Sequence, residues 1–165
     1  MYKRNKMRSF RPPQKIDLTK LSIFLGGTID MGNSRNWQEI VERKLIDYDI
    51  NIYNPRRDDW DSSWKQDITD PNFYQQVKWE LNALEKSDII FFNFESGSKS
   101  PITLLEVGLY AKSDKTIIIS CPKDYERNGN VEIVSDHYGI NLFNSLDESL
   151  EFLLEVIESE RNKKD

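Results

Sequence analysis

The sequence predicts a three-layer α/β domain, a five-stranded parallel sheet with helices on both faces. Two observations carry this. Apolar, β-branched or aromatic runs bounded by turn residues recur along the chain, at Leu21 to Leu25, Ile89 to Phe94 and Thr116 to Ile119, and they read as buried strands. Helical patterns fall between them, and strict alternation of strand and helix implies right-handed crossovers and a parallel sheet. The 165 residues suit one domain.

Taken in order, residues 1–19 form a basic head, expected to be a solvated, disordered tail, and residues 20–161 form the single domain. The first strand ends at Gly26-Gly27-Thr28, followed by Trp37, Ile40, Val41 and Leu45 at helical spacing. A shorter strand, Ile50 to Tyr53, leads into an irregular stretch from Asn54 to Pro71 that carries Trp60 and Trp64 and is expected to form a lid. Phe73, Val77, Leu81 and Leu84 mark the next helix, and Ser100 and Pro101 open another, as cap and first helical residue. Gly139 to Phe143 is a weaker strand, and Leu146, Leu150, Leu153, Leu154 and Ile157 define a final helix.

Composition excludes several classes of function. With one cysteine, Cys121, and one histidine, His137, the chain holds no disulfide framework and none of the usual zinc clusters; no metal and no cofactor is expected. Net charge is −5, and without the six cations of the first fifteen residues it is 17 minus 28, or −11, so binding along a nucleic-acid backbone is disfavoured. No apolar run approaches the ~20 residues that cross a bilayer, and a cytoplasmic protein is the simplest expectation.

Ligands bind beyond the carboxyl ends of parallel strands, so the residues there are the candidates. Gly26 and Gly27 suit either a tight turn or a close backbone approach to a ligand. Glu106 falls early in the helix that Ser100 opens, flanked by Leu104, Leu105 and Val107, where a carboxylate needs a partner or a task. Glu80 lies on or beside the inward stripe of the preceding helix and can approach the same crevice. Two carboxylates are what glycosidic cleavage requires, one as nucleophile and one to handle protons; a salt-bridged or solvated glutamate is the alternative for each. Arg56 and Arg57 suit an anion or a pairing with Asp58, Asp59 or Asp61. Asp88 reads as a turn residue, His137 as a surface residue and Cys121 as a buried thiol.

The segments NPRRDDW, WELNALEKSDIIFF, SPITLLEVGLYA and CPKDYERNGNVEIV resemble the nucleoside 2-deoxyribosyltransferase-like family over roughly Leu21 to Phe143. The resemblance implies a flavodoxin-like domain that cleaves the N-glycosidic bond of 2'-deoxynucleosides and passes the sugar to another base. It implies that Glu106 is the nucleophile and that Asn130 reaches a neighbouring subunit's site, hence a homo-oligomer. Glu80 stands where the family usually has an aspartate. Ser100 replaces an aspartate of the transferases and is similar to a serine that contacts phosphate in 2'-deoxynucleoside 5'-phosphate N-hydrolases. Phe24 stands where a tyrosine supports the nucleophile, and Tyr110 is a substitute only if it leaves the core.

Three functions follow as expectations. The first is deoxyribosyl transfer at Glu106, with Gly26, Gly27, Arg56, Trp60, Ser100 and Asn130 binding a deoxynucleoside or deoxynucleotide. The second is hydrolysis of a 2'-deoxynucleoside 5'-monophosphate. The third is a non-catalytic nucleotide-binding module, which the replaced tyrosine and aspartate would favour.

Overall fold

The computed structural model describes residues 6–29 and 34–163. Within them lie six strands, β1 (Arg8–Phe10), β2 (Ser22–Gly27), β3 (Asn51–Tyr53), β4 (Ile89–Asn93), β5 (Thr116–Ser120) and β6 (Asn141–Phe143). The helices are α1 (Trp37–Lys44), α2 (Pro71–Lys86), α3 (Pro101–Tyr110), α4 (Asn128–Tyr138) and α5 (Leu146–Asn162). All pairings are parallel, in the order β1-β3-β2-β4-β5-β6. Without β1 this is the doubly wound, flavodoxin-like order, and ligands of such folds sit where the strand order reverses, above β2 and β4.

Period-2 alternation on the central strands builds two cores. Phe24, Ile90, Phe92, Ile117 and Ile119 face Trp79, Ala83, Val107 and Val131 of α2, α3 and α4. Ile23, Leu25, Phe91 and Ile118 face Trp37, Val41, Leu150 and Leu153 of α1 and α5. Since β2 and β4 are covered on both sides, they read as unbroken apolar runs.

The sheet has six strands where five were expected. The basic head supplies the sixth: Arg8, Ser9 and Phe10 pair in register with Asn51, Ile52 and Tyr53. Phe10 is buried with its ring 6.2 Å from that of Tyr53; Arg8 pairs with Asp17 of the head itself at 3.0 Å, and Arg11 lies near Glu42 and Asp58 of the body at 3.7 Å. Trp79 Nε1 donates to the Gln14 carbonyl at 2.8 Å and Tyr53 Oη to that of Asp17 at 2.6 Å, so residues 8–17 pack on the domain and are no solvated tail. Lys3 and Arg4 lie outside the described residues.

Helix α4 was not expected either. Its cap position holds Arg127, whose side chain makes no cap hydrogen bond, and it buries only Asn128, Val131 and Ser135, a largely polar stripe that leaves little hydrophobic periodicity to read. Asp88 fulfils its expected structural role: its carboxylate accepts from Ser22 N at 2.9 Å and ties the starts of β2 and β4 at the end of the sheet away from the crevice.

Candidate active site

Helix α2 is fixed at its start by Asp70, whose side chain accepts from Asn72 N and Phe73 N, and by Pro71 in the first turn. Its buried residues Gln76, Trp79, Ala83 and Leu84 follow the three-to-four spacing of one face, and Glu80 falls on that face between them. Helix α3 is built the other way round. It buries Thr103, Glu106 and Val107 and leaves Ile102, Leu105 and Leu109 more than half exposed. Leu105, expected beneath the surface, is 60% exposed, while the carboxylate-bearing Glu106 beside it is 8% exposed.

Among the described residues the Glu106 carboxylate makes no hydrogen bond and no ion pair. Burial pushes its carboxyl well above the usual carboxylate range, and the nearby charge of Glu80 pushes it further. Glu80 is raised to about 7, by burial first, against a lowering from the amide of Gln76. Burial and, for Glu106, the charge of Glu80 both work against ionising the two carboxyls together. A buried, unpartnered carboxylate is costly to keep and marks a site where a ligand or a reaction supplies what the fold withholds.

The two glycines have a packing reason. Both lie within β2, not after it, opposite Phe92 and Asn93 of β4. A Cβ on Gly26 would sit 2.7 Å from the Phe92 ring; one on Gly27, whose φ is 154°, would sit 2.2 Å from the Asn93 carbonyl. Residues 30–33, which follow this end of β2, lie outside the described residues, and α1 begins at Trp37.

Ser100 occupies the cap position of α3 in a left-handed conformation, φ 45°, yet its side chain does not cap the helix. It joins Thr28 Oγ1 at 2.6 Å and Ser98 Oγ at 2.9 Å, and Thr28 and Ser98 meet at 3.0 Å. Three buried hydroxyls thus gather where β2 ends and α3 begins, at the helix end whose dipole favours an anion. The sequence signal for Thr28 and Ser98 was slight, since isolated hydroxyls in loops are common.

The arginines take different partners. Arg56 is buried and pairs with none of Asp58, Asp59 or Asp61; it donates to Gln38 Oε1 at 3.2 Å and to the carbonyls of Ser34 and Arg35 at 3.4 Å. Arg57 grips Asp59 through two bonds of 2.8 and 2.9 Å, and its guanidinium lies 4.9 Å from the ring centroid of Trp64. Trp60 is half-buried and packs edge-to-face on Trp64, at 5.0 Å. The stretch 54–70, free of helix and strand, is therefore held in place by these side-chain contacts.

Gln76 escaped the sequence reading although its position four residues before Glu80 was a sufficient signal for contact on a helix. Its amide donates to Glu80 Oε1 at 2.8 Å and to the Pro55 carbonyl at 3.0 Å. Asn130, by contrast, is exposed in the first turn of α4, and Asn128, two residues earlier, is the buried one, bonded to the Pro122 carbonyl at 3.2 Å. Phe24 is fully buried, and Tyr110 stays half-buried against the core. Burial raises the Cys121 thiol, and His137 is exposed against Tyr138. The shallow depressions along Leu154, Glu158 and Asn162, and along Gly129, Ile133 and Leu142, are lined by neither Glu80 nor Glu106.

No helix among the described residues is long and apolar enough to cross a membrane. A solved structure described as a conserved protein from Enterococcus faecalis V583 superposes with a TM-score of 0.56 at 12% identity, over 86% of this chain and 99% of that one, a likeness of fold. No curated protein matches the sequence. The family model described as nucleoside 2-deoxyribosyltransferase like matches residues 20–125, the stretch that holds β2 through β5 and both Glu80 and Glu106. By that match the chain belongs to the nucleoside 2-deoxyribosyltransferase-like family.

Proposed function

We propose that the protein cleaves the N-glycosidic bond of 2'-deoxynucleosides and transfers the deoxyribosyl group between nucleobases. The observation that carries this is the buried Glu106 carboxylate without hydrogen bond or ion pair among the described residues. The Glu106 proton passes to Glu80 as substrate binds, the freed Glu106 carboxylate attacks C1' as the bond to the base nitrogen breaks, and the departing base takes the proton from Glu80. The resulting ester between C1' and the Glu106 carboxylate is then attacked by a second base, whose proton returns to Glu80. Desolvation by the 54–70 stretch, with the Trp60 and Trp64 rings available to stack on a base, keeps water from that ester.

A second reading, hydrolysis of a 2'-deoxynucleoside 5'-monophosphate, is favoured by the Thr28, Ser98 and Ser100 hydroxyls at the start of α3, which suit a phosphate. Arg56 then serves the fold of the crevice wall, not the phosphate, since its guanidinium is occupied by Gln38 and two carbonyls.

The exposed stripe of Ile102, Leu105 and Leu109 on α3 supports a homo-oligomer in which a second copy covers that face, and the exposed Asn130 is free to enter the neighbour's crevice.

The test is incubation with a deoxynucleoside and with its 5'-monophosphate, each with and without a second free base, followed by chromatography. A new nucleoside identifies the transferase and free base alone the hydrolase. Binding without turnover would contradict both and leave a non-catalytic nucleotide-binding module.

A further inference from the structure

We propose that Gln76 is a positioning residue for Glu80, held by Arg57 in the one amide orientation that directs the Glu80 proton onto Oε2. The inference rests on the reading of Glu80 as the group that handles protons. Arg57 Nη1 lies 3.3 Å from Gln76 Oε1, and a guanidinium only donates, so the amide oxygen must face it. The amide nitrogen then faces two acceptors, the Pro55 carbonyl at 3.0 Å and Glu80 Oε1 at 2.8 Å. Oε1 is thereby engaged as an acceptor in both protonation states, and the proton can reside only on Oε2. Arg57 is itself fixed by its two bonds to Asp59 and by the Trp64 ring. The chain Asp59, Arg57, Gln76, Glu80 links the position of the 54–70 stretch to the orientation of a carboxylate on α2.

Two effects act on Glu80: burial, which disfavours its ionised form, and the Gln76 amide, which favours it, while the carboxyl that its charge acts on is Glu106 of α3. The experiment isolates the second. Protein with 13C-labelled glutamate side chains, carrying Glu106→Gln to remove the coupled titration, is titrated by NMR without substrate, and the Glu80 signal is assigned by its loss in Glu80→Gln.

Gln76→Met, equal in size and without a donor, is expected to raise the Glu80 midpoint by roughly one pH unit, the effect of one charge-assisted hydrogen bond. Arg57→Gln is expected to raise it in the Gln76 background and to add nothing in the Gln76→Met background. An unchanged midpoint in Gln76→Met overturns the proposal. So does an Arg57→Gln shift that is equal in both backgrounds, since Arg57 would then act directly by its charge. If Gln76→Met does not fold, Gln76→Asn, which withdraws the amide by one methylene, replaces it with the same expected direction. Because the midpoint is read without substrate, absence of turnover in the native protein defeats the proposed function and leaves this result standing on its own.

Discussion

Glu80 of α2 and Glu106 of α3 occupy one buried setting in which the charge of the first raises the proton affinity of the second. Neither carboxylate meets a cation among the described residues, and only Glu80 is given a donor, the Gln76 amide. The fold thus keeps two acids where an isolated hydrophobic core would keep none, which is the arrangement expected of reacting groups and not of structural ones.

That arrangement sets a pH dependence of stability. Burial pushes the Glu80 carboxyl up to about 7 in the folded chain, above the ordinary carboxylate value of the unfolded one. The folded state therefore binds the proton more tightly, so the contribution is complete below about pH 4 and is lost as pH rises toward about 7. Glu80→Gln is expected to flatten this decline and to be more stable than the native protein at pH 8 by about 3 kcal/mol. Urea denaturation at pH 5 and pH 8 checks it; equal pH dependence in the two proteins would show that Glu80 is not proton-loaded by burial.

Ser100 separates the two candidate substrates. Its hydroxyl meets Thr28 and Ser98 and no backbone amide of α3, so Ser100→Ala leaves the helix cap as it is. Michaelis constants are expected to rise about tenfold for the 5'-monophosphate, the loss of one hydrogen bond to a charged group, and to change little for the nucleoside. An equal effect on both would remove phosphate from the role of the hydroxyl cluster.

Gly27 is a test of packing. A methyl group there would lie 2.2 Å from the Asn93 carbonyl on a backbone with φ 154°, and Trp37 stands 2.7 Å away on the other side. Gly27→Ala is expected to destabilise by about 3 kcal/mol or more, read as a lower denaturation midpoint, whereas Gly108→Ala, with open space around its Cβ, is expected to fold as the parent does. A Gly27→Ala protein of native stability would show that β2 and β4 are spaced otherwise.

The apolar stripe on α3 supplies a fourth expectation. Leu105→Glu, at 60% exposure, is expected to leave the monomer folded while shifting light-scattering mass to one subunit. An unchanged assembly would place the interface elsewhere.

How far the sequence revealed this molecule depends on where its apolar residues sit. Strands β2, β4 and β5 are buried on both faces, so Ile23 to Leu25, Ile89 to Phe92 and Ile117 to Ile119 announce themselves. β1 does not, because Arg8 is exposed and Ser9 half-buried, leaving only Phe10 of its three residues in the core. Glu106 and Glu80 were legible by helical spacing and motif. The Thr28, Ser98 and Ser100 cluster was not, for it joins residues about seventy positions apart that only the β2–β4 pairing brings together. The two arginines showed the limit of local reading: adjacent in sequence, they diverge to Gln38 on one side and to Asp59 and Gln76 on the other.

The most direct measurement is mass spectrometry of the protein quenched after reaction with a 2'-deoxy-2'-fluoro-arabinonucleoside, whose electron-withdrawing fluorine slows breakdown of a glycosyl ester. The account predicts one added 2-deoxy-2-fluoroarabinosyl mass per chain, mapped to the peptide containing Glu106 and absent from Glu106→Gln. Turnover of deoxynucleosides by Glu106→Gln at the native rate, or an adduct mapped to another residue, would contradict it.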